Sequence, residues 1–142
     1  MRFVTTCILV LTALGFTNTA KSQDSVVESK DFRIVFEEIQ HGFEVGNVAA
    51  FSTYLGSQVQ VTLRGEKSGY YSSNQAYYIL ESFLKTRKIL SFEFTSVGET
   101  EATPYATGSM VFNHKGMREV AQVYVALMKS EEKWVIAEIN IY

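Results

Sequence analysis

Three side chains are the candidates for acid–base chemistry in this sequence: Glu138, Tyr124 and His114. A general base must lie within hydrogen-bond reach of the proton it removes, so an enzyme would need these groups in one enclosed site. The alternation of apolar and polar residues places Glu138 and Tyr124 on the polar face of their strands, away from an enclosed core. A catalytic site built from them therefore requires a one-residue shift of the last strand, because such a shift exchanges the two faces.

Other signatures of catalysis and metal binding are missing from the sequence. The two histidines, His41 and His114, lie far apart and have no second ligand at i+2 or i+4, so they form no metal motif. Neither a G-x-S-x-G sequence nor a glycine-rich phosphate loop is present. The single cysteine, Cys7, lies in an apolar N-terminal run. We therefore expect no catalytic residue, no metal ligand and no cofactor.

The residues from 89 to 142 alternate between apolar and polar with a period of two, as strands of a sheet covered on one face do. The predicted antiparallel strands lie near 89–97, 104–114, 117–129 and 133–142. One face of them is apolar and is expected to pack on helices: Leu90, Phe92, Phe94, Ala106, Gly108, Met110, Phe112, Ala121, Val123, Val125, Leu127, Val135, Ala137, Ile139 and Ile141. Its small residues fit either a cavity or close approach of a helix. The candidates for lining a cavity that holds a small apolar ligand are Phe92, Gly108, Met110, Phe112, Val123 and Ala137.

The opposite face mixes polar side chains with a tryptophan, a tyrosine and several aliphatic residues. The aliphatic residues assigned to it are Val111, Val120, Met128 and Ile136. Such a mixture, with few charges, is more typical of an interface than of a solvated surface. The interface candidates, for a second copy or another protein partner, are Gln122, Tyr124, Trp134, Ile136 and Glu138.

The N-terminal half predicts the helices that cover the apolar face. One amphipathic helix has a buried stripe at helical spacing: Phe32, Val35, Phe36, Ile39 and Phe43. Gly46-Asn47 ends it, and 48–55 is predicted as a short second helix. A strand over 58–64 and a brief strand at Tyr70-Tyr71 follow. A third helix then begins at the Ser72–Gln75 capping box.

The first residues have the composition of an export signal. Arg2 precedes an apolar run over 7–16, and the small residues Ala20 and Ser22 fit a cleavage site. The run is shorter than the roughly 20 residues that a membrane-spanning helix needs. We therefore expect a signal peptide at 1–22 and a single domain at 23–142. The mature protein would be periplasmic or secreted, without a stable membrane span.

The charge of the chain gives no support for binding to nucleic acid. Lys and Arg together number 13 against 15 acidic residues, and the net charge is −2. The single basic cluster, at 85–88, lies at the end of a predicted helix, where cations stabilise the negative end of the helix dipole. No nucleic-acid partner is therefore expected.

Several short segments follow one another along the chain: Gly46-Asn47, Tyr71-Ser72-x-x-Gln75-Ala76, Phe83, Tyr105-x-x-Gly108 and Lys133-Trp134-x-Ile136-x-x-Ile139-x-Ile141. Taken in this order, they resemble the nuclear transport factor 2-like superfamily of cone-shaped domains. More narrowly, the chain is similar to a family of small exported bacterial proteins known only as a domain of unknown function. The resemblance implies an α+β fold of cystatin-like type. In this fold N-terminal helices pack on a strongly curved sheet, mixed or antiparallel.

The resemblance does not select one activity, because this superfamily holds enzymes, transport adaptors and non-enzymatic binding domains. Its enzymes mostly place an aspartate inside the cone, whereas Asp24 and Asp31 precede or begin the first helix. We therefore expect an exported, non-enzymatic domain that binds a small apolar ligand or a protein partner. A homodimer is expected because the superfamily commonly dimerises through this side of the sheet. The alternative is an isomerase- or dehydratase-like enzyme with the Glu138, Tyr124 and His114 acid–base set in the cone.

Overall fold

The computed structural model describes residues 24–66, 68–100 and 103–142, and only the backbone over 24–31. The expected signal peptide lies outside these residues. Within them the helices and strands are α1 (Asp24–Val45), β1 (Leu55–Leu63), β2 (Gly69–Ser72), α2 (Ser73–Lys85), β3 (Lys88–Glu99), β4 (Pro104–His114), β5 (Met117–Ser130) and β6 (Lys133–Ile141). The four strands predicted after the last helix are therefore confirmed within one or two residues.

The strands form one mixed sheet in the order β2-β1-β6-β5-β4-β3. The neighbouring strands β1 and β6 are parallel, and every other neighbouring pair is antiparallel. The first and last strands of the chain are thus neighbours, and β2 and β3 are the edges of the sheet. The predicted α+β fold, with N-terminal helices on a curved mixed sheet, is confirmed.

The helices cover one face of the sheet, here called the inner face, and bury a continuous apolar core between them. The predicted stripe of α1 lies in that core with side chains at most 3% exposed: Phe32, Val35, Phe36, Ile39 and Phe43. Apolar residues of the four C-terminal strands belong to the same core, among them Phe92, Met110, Val123, Ile139 and Ile141. The opposite face, here called the outer face, carries the polar half of the alternation. The apolar stripe read from the sequence is therefore the contact between α1 and the sheet.

The segment between α1 and β1 differs from its prediction. Gly46 ends α1 in the left-handed conformation, with φ +67°, and the Asn47 side chain accepts a hydrogen bond from the Ala49 amide at 3.0 Å. The predicted helix over 48–55 is wrong, because the chain forms only two 3₁₀ turns, Val48–Ala50 and Ser52–Tyr54. Leu55 pairs with Ile136 in the neighbouring strand β6, so the sheet takes the residue that the helical spacing assigned to a helix.

The start of α2 is the capping box that the sequence predicts. The Ser72 hydroxyl accepts from the Gln75 amide at 3.3 Å, and the Gln75 side chain accepts from the Ser72 amide at 3.1 Å. At the other end, the Arg87 guanidinium donates to the Phe83 carbonyl at 2.9 Å and lies 3.7 Å from the Phe83 ring centroid. Burial lowers the pKa of Arg87 from its ordinary value. Both ends of the helix thus have their free backbone groups bonded by nearby side chains.

Irregularities in β3 and β6 change the faces of several residues. In β3 the pairing shifts between Ile89 and Ser91, and Leu90, assigned to the apolar face, is 45% exposed. In β6 the pairing passes from Ile136 to Glu138 across consecutive residues of β5, which leaves Ala137 as the extra residue of a bulge. One extra residue reverses the faces on its N-terminal side. The outer-face assignment of Ile136 is therefore wrong, and so is the apolar-face assignment of Val135 and Ala137, which are half-buried.

Candidate interaction site

The candidate site lies on the outer face of β4, β5 and β6, where two tyrosine rings stack. Tyr105 of β4 and Tyr124 of β5 have ring centroids 6.0 Å apart and an interplanar angle of 26°. Tyr124 pairs across the strands with Asn140 of β6, and Ala126 pairs with Glu138. The sheet register thus collects two phenols, a carboxylate and an amide on one surface.

A glycine on the edge strand positions Tyr105. Gly98 pairs with Tyr105 across β3 and β4, and the phenol ring lies directly over the glycine. A Cβ on Gly98 would lie 2.7 Å from Cε1 of the ring and would overlap its hydroxyl end. An aromatic side chain covering a cross-strand glycine is a recurring way to pin register in a sheet. Tyr105 is therefore held between Gly98 on one side and Tyr124 on the other.

Asn140 is the buried polar residue of this surface, with 6% of its area exposed. Its side-chain nitrogen donates to the Glu138 carboxylate at 2.6 Å, a short charge-assisted bond. The reverse amide orientation would bring two acceptor oxygens together, so this hydrogen bond fixes which atom is the nitrogen. The Asn140 oxygen has no hydrogen-bond partner among the described residues. It is an unused acceptor beside Tyr124.

The Tyr124 phenol is kept neutral by its surroundings. Burial raises the pKa of Tyr124 above its ordinary value of 10.0, and the negative charge of Glu138 raises it further, with smaller effects of Tyr105 and Tyr142. The phenol therefore keeps its proton at neutral pH and remains a hydrogen-bond donor. Glu138, whose negative charge acts on this pKa, accepts the hydrogen bond from Asn140.

Apolar side chains extend the surface along β5. Val120 and Met128, both on the outer face, are 51% and 47% exposed, and Tyr124 lies midway between them. Strand β5 has β4 on one side and β6 on the other, and Tyr124 pairs with both neighbours. Val120 has a partner only in β4 and Met128 only in β6, so these two side chains lie at the two ends of the stripe. A stripe of exposed apolar side chains on an interior strand is typical of a surface that another molecule covers.

The structure divides the sequence-based interface candidates into two groups. Gln122, Tyr124 and Glu138 lie on the outer face, as predicted. Ile136 is fully buried in the core, and Trp134 packs on the inner side, with its ring 6.1 Å from the Phe32 ring. The prediction placed both on the outer face and was wrong for the reason given above, the bulge at Ala137.

Tyr105 and Asn140 complete the surface, and the sequence interpretation did not include them among the interface candidates. Tyr105 continues the alternation of Thr107 and Ser109 toward the start of β4, so the period of two contained the signal. Asn140 shares its face with Glu138 by the same spacing. What the sequence could not show is the stacking of Tyr105 on Tyr124, which depends on the register of two strands.

The candidates for a ligand cavity lie in the packed core. Phe92, Met110, Phe112 and Val123 belong to the continuous cluster of buried side chains, each at most 3% exposed. Gly108 is also buried, and a Cβ there would overlap the Glu93 carbonyl oxygen and lie 3.0 Å from Cα of Phe94. The lack of a side chain at Gly108 thus allows the backbone of the neighbouring strand β3 to approach closely. The sequence interpretation had explained the small residues of this face by a cavity or by the close approach of a helix. Ala137, the sixth candidate, is the extra residue of the β6 bulge.

The three acid–base candidates do not meet. Tyr124 and Glu138 are neighbours on the outer face, but His114 lies at the β4–β5 turn, where its Nδ1 is 3.8 Å from a Glu119 carboxylate oxygen. Seven residues of β4 separate His114 from Thr107, the partner of Tyr124, which is about 23 Å of strand. A proton relay through all three residues has no support in this geometry.

The described residues contain neither a metal-binding cluster nor a membrane-spanning helix. Within the described ranges no three His, Cys, Asp or Glu side chains are grouped closely enough to hold a metal ion. None of the helices in this part of the chain combines the length and apolar composition that a bilayer crossing requires.

Solved structures with this fold include a DUF4783 family protein from Bacteroides uniformis ATCC 8492. The two chains are 23% identical, with a TM-score of 0.67 over 74% of this chain and 93% of that one. A ketosteroid isomerase-like protein from Erwinia carotovora atroseptica is 13% identical, with a TM-score of 0.64 over 80% and 94%. An NTF-2 like protein of unknown function from Shewanella oneidensis MR-1 is 10% identical, with a TM-score of 0.56 over 80% and 97%. At such identities the likeness shows the fold, a nuclear transport factor 2-like α+β cone.

The sequence itself gives the family. No functionally curated protein matches it. Residues 36–142 match the model of DUF4783, which is described as a domain of unknown function. The matched residues run from the middle of α1 to the end of the sheet and include every strand. The resemblance read from the sequence motifs is therefore confirmed: the chain has a nuclear transport factor 2-like fold and belongs to the DUF4783 family.

Proposed function

We propose that this chain is an exported, non-enzymatic binding domain that pairs with a second copy of itself through the outer face of β4, β5 and β6. The observation that carries the proposal is the exposed apolar stripe of Val120, Tyr124 and Met128 on an interior strand. Exposed apolar side chains on a sheet face favour removal from water. A second copy of the same surface would cover them.

The size of the outer face can be compared with that of known interfaces. Three neighbouring strands, β4 to β6, spaced about 4.8 Å apart, and the 11 residues of β4 at about 3.4 Å each give an area of about 540 Å². Each partner in a stable protein complex buries about 800 Å². A two-fold contact over this face would therefore supply about two-thirds of the usual area.

The polar groups of the face constrain how a self-complementary contact can form. In a two-fold interface the same patch meets itself, so unbalanced charge near the axis is unfavourable. Glu138 is the carboxylate closest to Tyr124, and it already accepts a hydrogen bond from Asn140. The Tyr124 phenol keeps its proton and can donate a hydrogen bond to a group of the second copy. The hydrogen bond from the neutral Asn140 amide does not remove the charge of Glu138, so the two-fold axis would have to lie away from this carboxylate.

The interior is packed and almost entirely apolar, which favours binding at the surface over catalysis or ligand binding inside. Asn140 is the one buried polar residue among those described, and its side chain belongs to the outer-face cluster. An acid or base for an isomerase or dehydratase in the cone would have to come from that interior. A small apolar ligand beside Phe92, Met110 and Phe112 would have to displace packed side chains. A protein partner at the outer face requires neither.

Export is the remaining part of the proposal and rests on the composition of residues 1–22. Their arrangement of an early arginine, an apolar run and small residues is that of a cleaved signal. Removal of the signal would leave a domain of residues 23–142 without cysteine in the periplasm or outside the cell. Such a domain has to rely on its apolar core for stability, because it can form no disulfide.

Sedimentation equilibrium of the protein purified from an exporting host tests the pairing. We expect a dimer at micromolar concentration, and Val120→Glu should raise its dissociation constant at least tenfold because it places a carboxylate in the contact. Ile34→Glu is the matched control, since Ile34 is 48% exposed but lies on α1, away from the outer face. A monomeric wild type at high micromolar concentration would overturn the proposal. So would dissociation by Ile34→Glu with an unaffected Val120→Glu dimer.

A further inference from the structure

A groove runs between α1 and the edge strand β3, away from the tyrosine surface. Its volume is about 380 Å³. Its lining combines an apolar floor with a wall of polar and charged α1 side chains: Arg33, Phe36, Glu37, Gln40, His41, Glu44, Phe94 and Val97. A helix beside a sheet edge is a geometry in which an extended peptide can lie, pairing with the strand and touching the helix.

The backbone of β3 offers hydrogen-bonding groups to this groove. Glu99 pairs with Pro104, which has no amide hydrogen, so this is a non-hydrogen-bonded pair of the antiparallel ladder. Because such pairs alternate, Val97 and Ala106, two residues further on, form another. The N–H and C=O groups of Val97 therefore point away from β4. Strand β3 is the last in the sheet order, and no described strand pairs with it on that side.

Gln40 of α1 makes a hydrogen bond to β3 of the kind that an added strand would make. Its side-chain oxygen accepts a hydrogen bond from the Phe94 amide at 3.0 Å, across the groove. The Phe94 amide, like that of Val97, thus points out of the sheet. The Gln40 nitrogen in turn donates to Glu44 at 3.1 Å, which holds the amide in place. The Phe94 amide thus has its acceptor in the Gln40 side chain. The next amide that points outward, that of Val97, can donate to a carbonyl of a bound peptide.

The charges and apolar groups of the lining specify what such a peptide should carry. Glu37 and Glu44 are exposed on the α1 wall, and Arg33 is the one permanent cation lining the groove. The floor, by contrast, is formed by aromatic and aliphatic carbon of Phe94 and Val97. A lysine side chain fits both, because its aliphatic stem can lie on the floor while its ammonium reaches the glutamates.

We propose that the α1–β3 groove binds an extended peptide rich in lysine, which adds to the outer edge of β3 as a further strand. The peptide backbone pairs with Val97, and alternate side chains reach into the groove toward Glu37 and Glu44. The two β-bulges of β3 limit the paired segment to a few residues around Val97, because each bulge interrupts the regular edge. The site is separate from the outer face, so it operates in either oligomeric state.

The test is a titration of the isotopically labelled protein, followed by amide chemical shifts. The probe is an end-blocked heptapeptide of alternating valine and lysine, and the matched control replaces each lysine with glutamate. The lysine peptide should shift the amides of Val97 and of α1 residues 37–44, and should leave Val120 and Tyr124 unchanged. The glutamate peptide should bind at least tenfold more weakly. Equal binding of the two peptides, or shifts on the outer face in place of β3, would overturn the proposal.

Two variants separate the contributions of backbone and charge. Val97→Pro removes the outward amide but no bond to β4, and should weaken binding at least tenfold, whereas Val97→Thr keeps the amide and should bind within about twofold of wild type. The double variant Glu37→Lys with Glu44→Lys should reverse the preference in favour of the glutamate peptide. If Val97→Pro does not fold, this charge reversal decides the outcome. Wild-type affinity in Val97→Pro, or an unchanged peptide preference in the double variant, would contradict the site.

Discussion

Substitution of Gly108 by alanine tests how closely the strands of the inner face approach each other. The added Cβ would overlap the carbonyl oxygen of Glu93 and lie 3.0 Å from Cα of Phe94. All of these are backbone atoms of β3, so no side chain can rotate away to make room. The strand can move only with its neighbours, because the Phe94 amide is bonded to Gln40 and the Phe94 ring lies 5.7 Å from that of Phe36.

Two opposing effects determine how much Gly108→Ala changes the free energy of unfolding. Alanine in place of glycine, where the backbone conformation allows it, stabilises a protein by about 0.4–1 kcal/mol by restricting the unfolded chain. Overpacking that forces the backbone to shift costs about 1–3 kcal/mol. Since the overlap at Gly108 is with backbone, we expect the second effect to prevail. Gly108→Ala should lower the free energy of unfolding by about 1–2 kcal/mol, and Gly108→Leu by more.

Urea unfolding followed by circular dichroism measures this change as a lower midpoint with an unchanged slope. Gly116 provides the matched control, because its substitutions meet no atom within 4 Å and are strained only through its φ of +78°. Gly116→Ala and Gly116→Leu should therefore cost nearly the same, whereas the cost at Gly108 should grow with size. A Gly108→Ala midpoint equal to or above that of the wild type would refute this reasoning and indicate empty space beside the glycine.

Three further changes test individual contacts. Ser72→Ala removes the hydroxyl that caps α2 and should lower the free energy of unfolding by about 1 kcal/mol, measured by urea unfolding with Asn74→Ala as a control on the same turn. Arg87→Lys keeps the charge but cannot both stack on Phe83 and bond its carbonyl, and should cost about 1 kcal/mol in the same assay. The raised pKa of Tyr124 gives stability that is present below pH 10.0 and is lost as the pH rises through the folded-state pKa, because the unfolded phenol ionises first. The urea midpoint should therefore fall further between about pH 8 and about pH 11 in the wild type than in Tyr124→Phe. An equal fall in the two proteins would contradict the raised pKa of Tyr124.

Regular periodicity made much of this fold readable from the sequence. The stripe of α1 and the capping box of α2 rest on spacings within one element, and both are present as predicted. The β-bulges are different, because one extra residue shifts the period without changing the composition. Val135, Ile136 and Ala137 are all apolar, so either face assignment fitted the sequence equally well. The register of β6 against β5, which depends on the whole sheet, decided it.

The helix predicted over 48–55 was wrong because the spacing of buried residues does not determine the backbone conformation. Phe51 and Leu55 have the spacing of one helical turn, and both are indeed buried. Two short 3₁₀ turns place Phe51 in the core equally well, and a Cβ on Gly42 of α1 would overlap Cδ1 of its ring. Leu55 is buried because it begins β1 beside β6. Spacing predicted the burial of these residues correctly but not the backbone conformation that achieves it.

The candidate surfaces could be predicted only in part. The outer face follows from the alternation, so Tyr124, Gln122 and Glu138 were found, whereas the stacking of Tyr105 on Tyr124 needs the register of β4 and β5. The α1–β3 groove joins residues about fifty positions apart, such as Gln40 and Phe94, and no local pattern connects them. Surfaces built between distant elements thus required the structure.

The interior of the described fold is packed with the protein's own side chains, and we propose that the outer sheet face pairs with a second copy. Native mass spectrometry of the protein purified from an exporting host tests both statements in one spectrum, since it reports the subunit number and any retained ligand. We expect a homodimer whose mass equals twice that of the chain without its signal peptide. A monomer at all concentrations, or an added small-molecule mass that is released on denaturation, would overturn this picture.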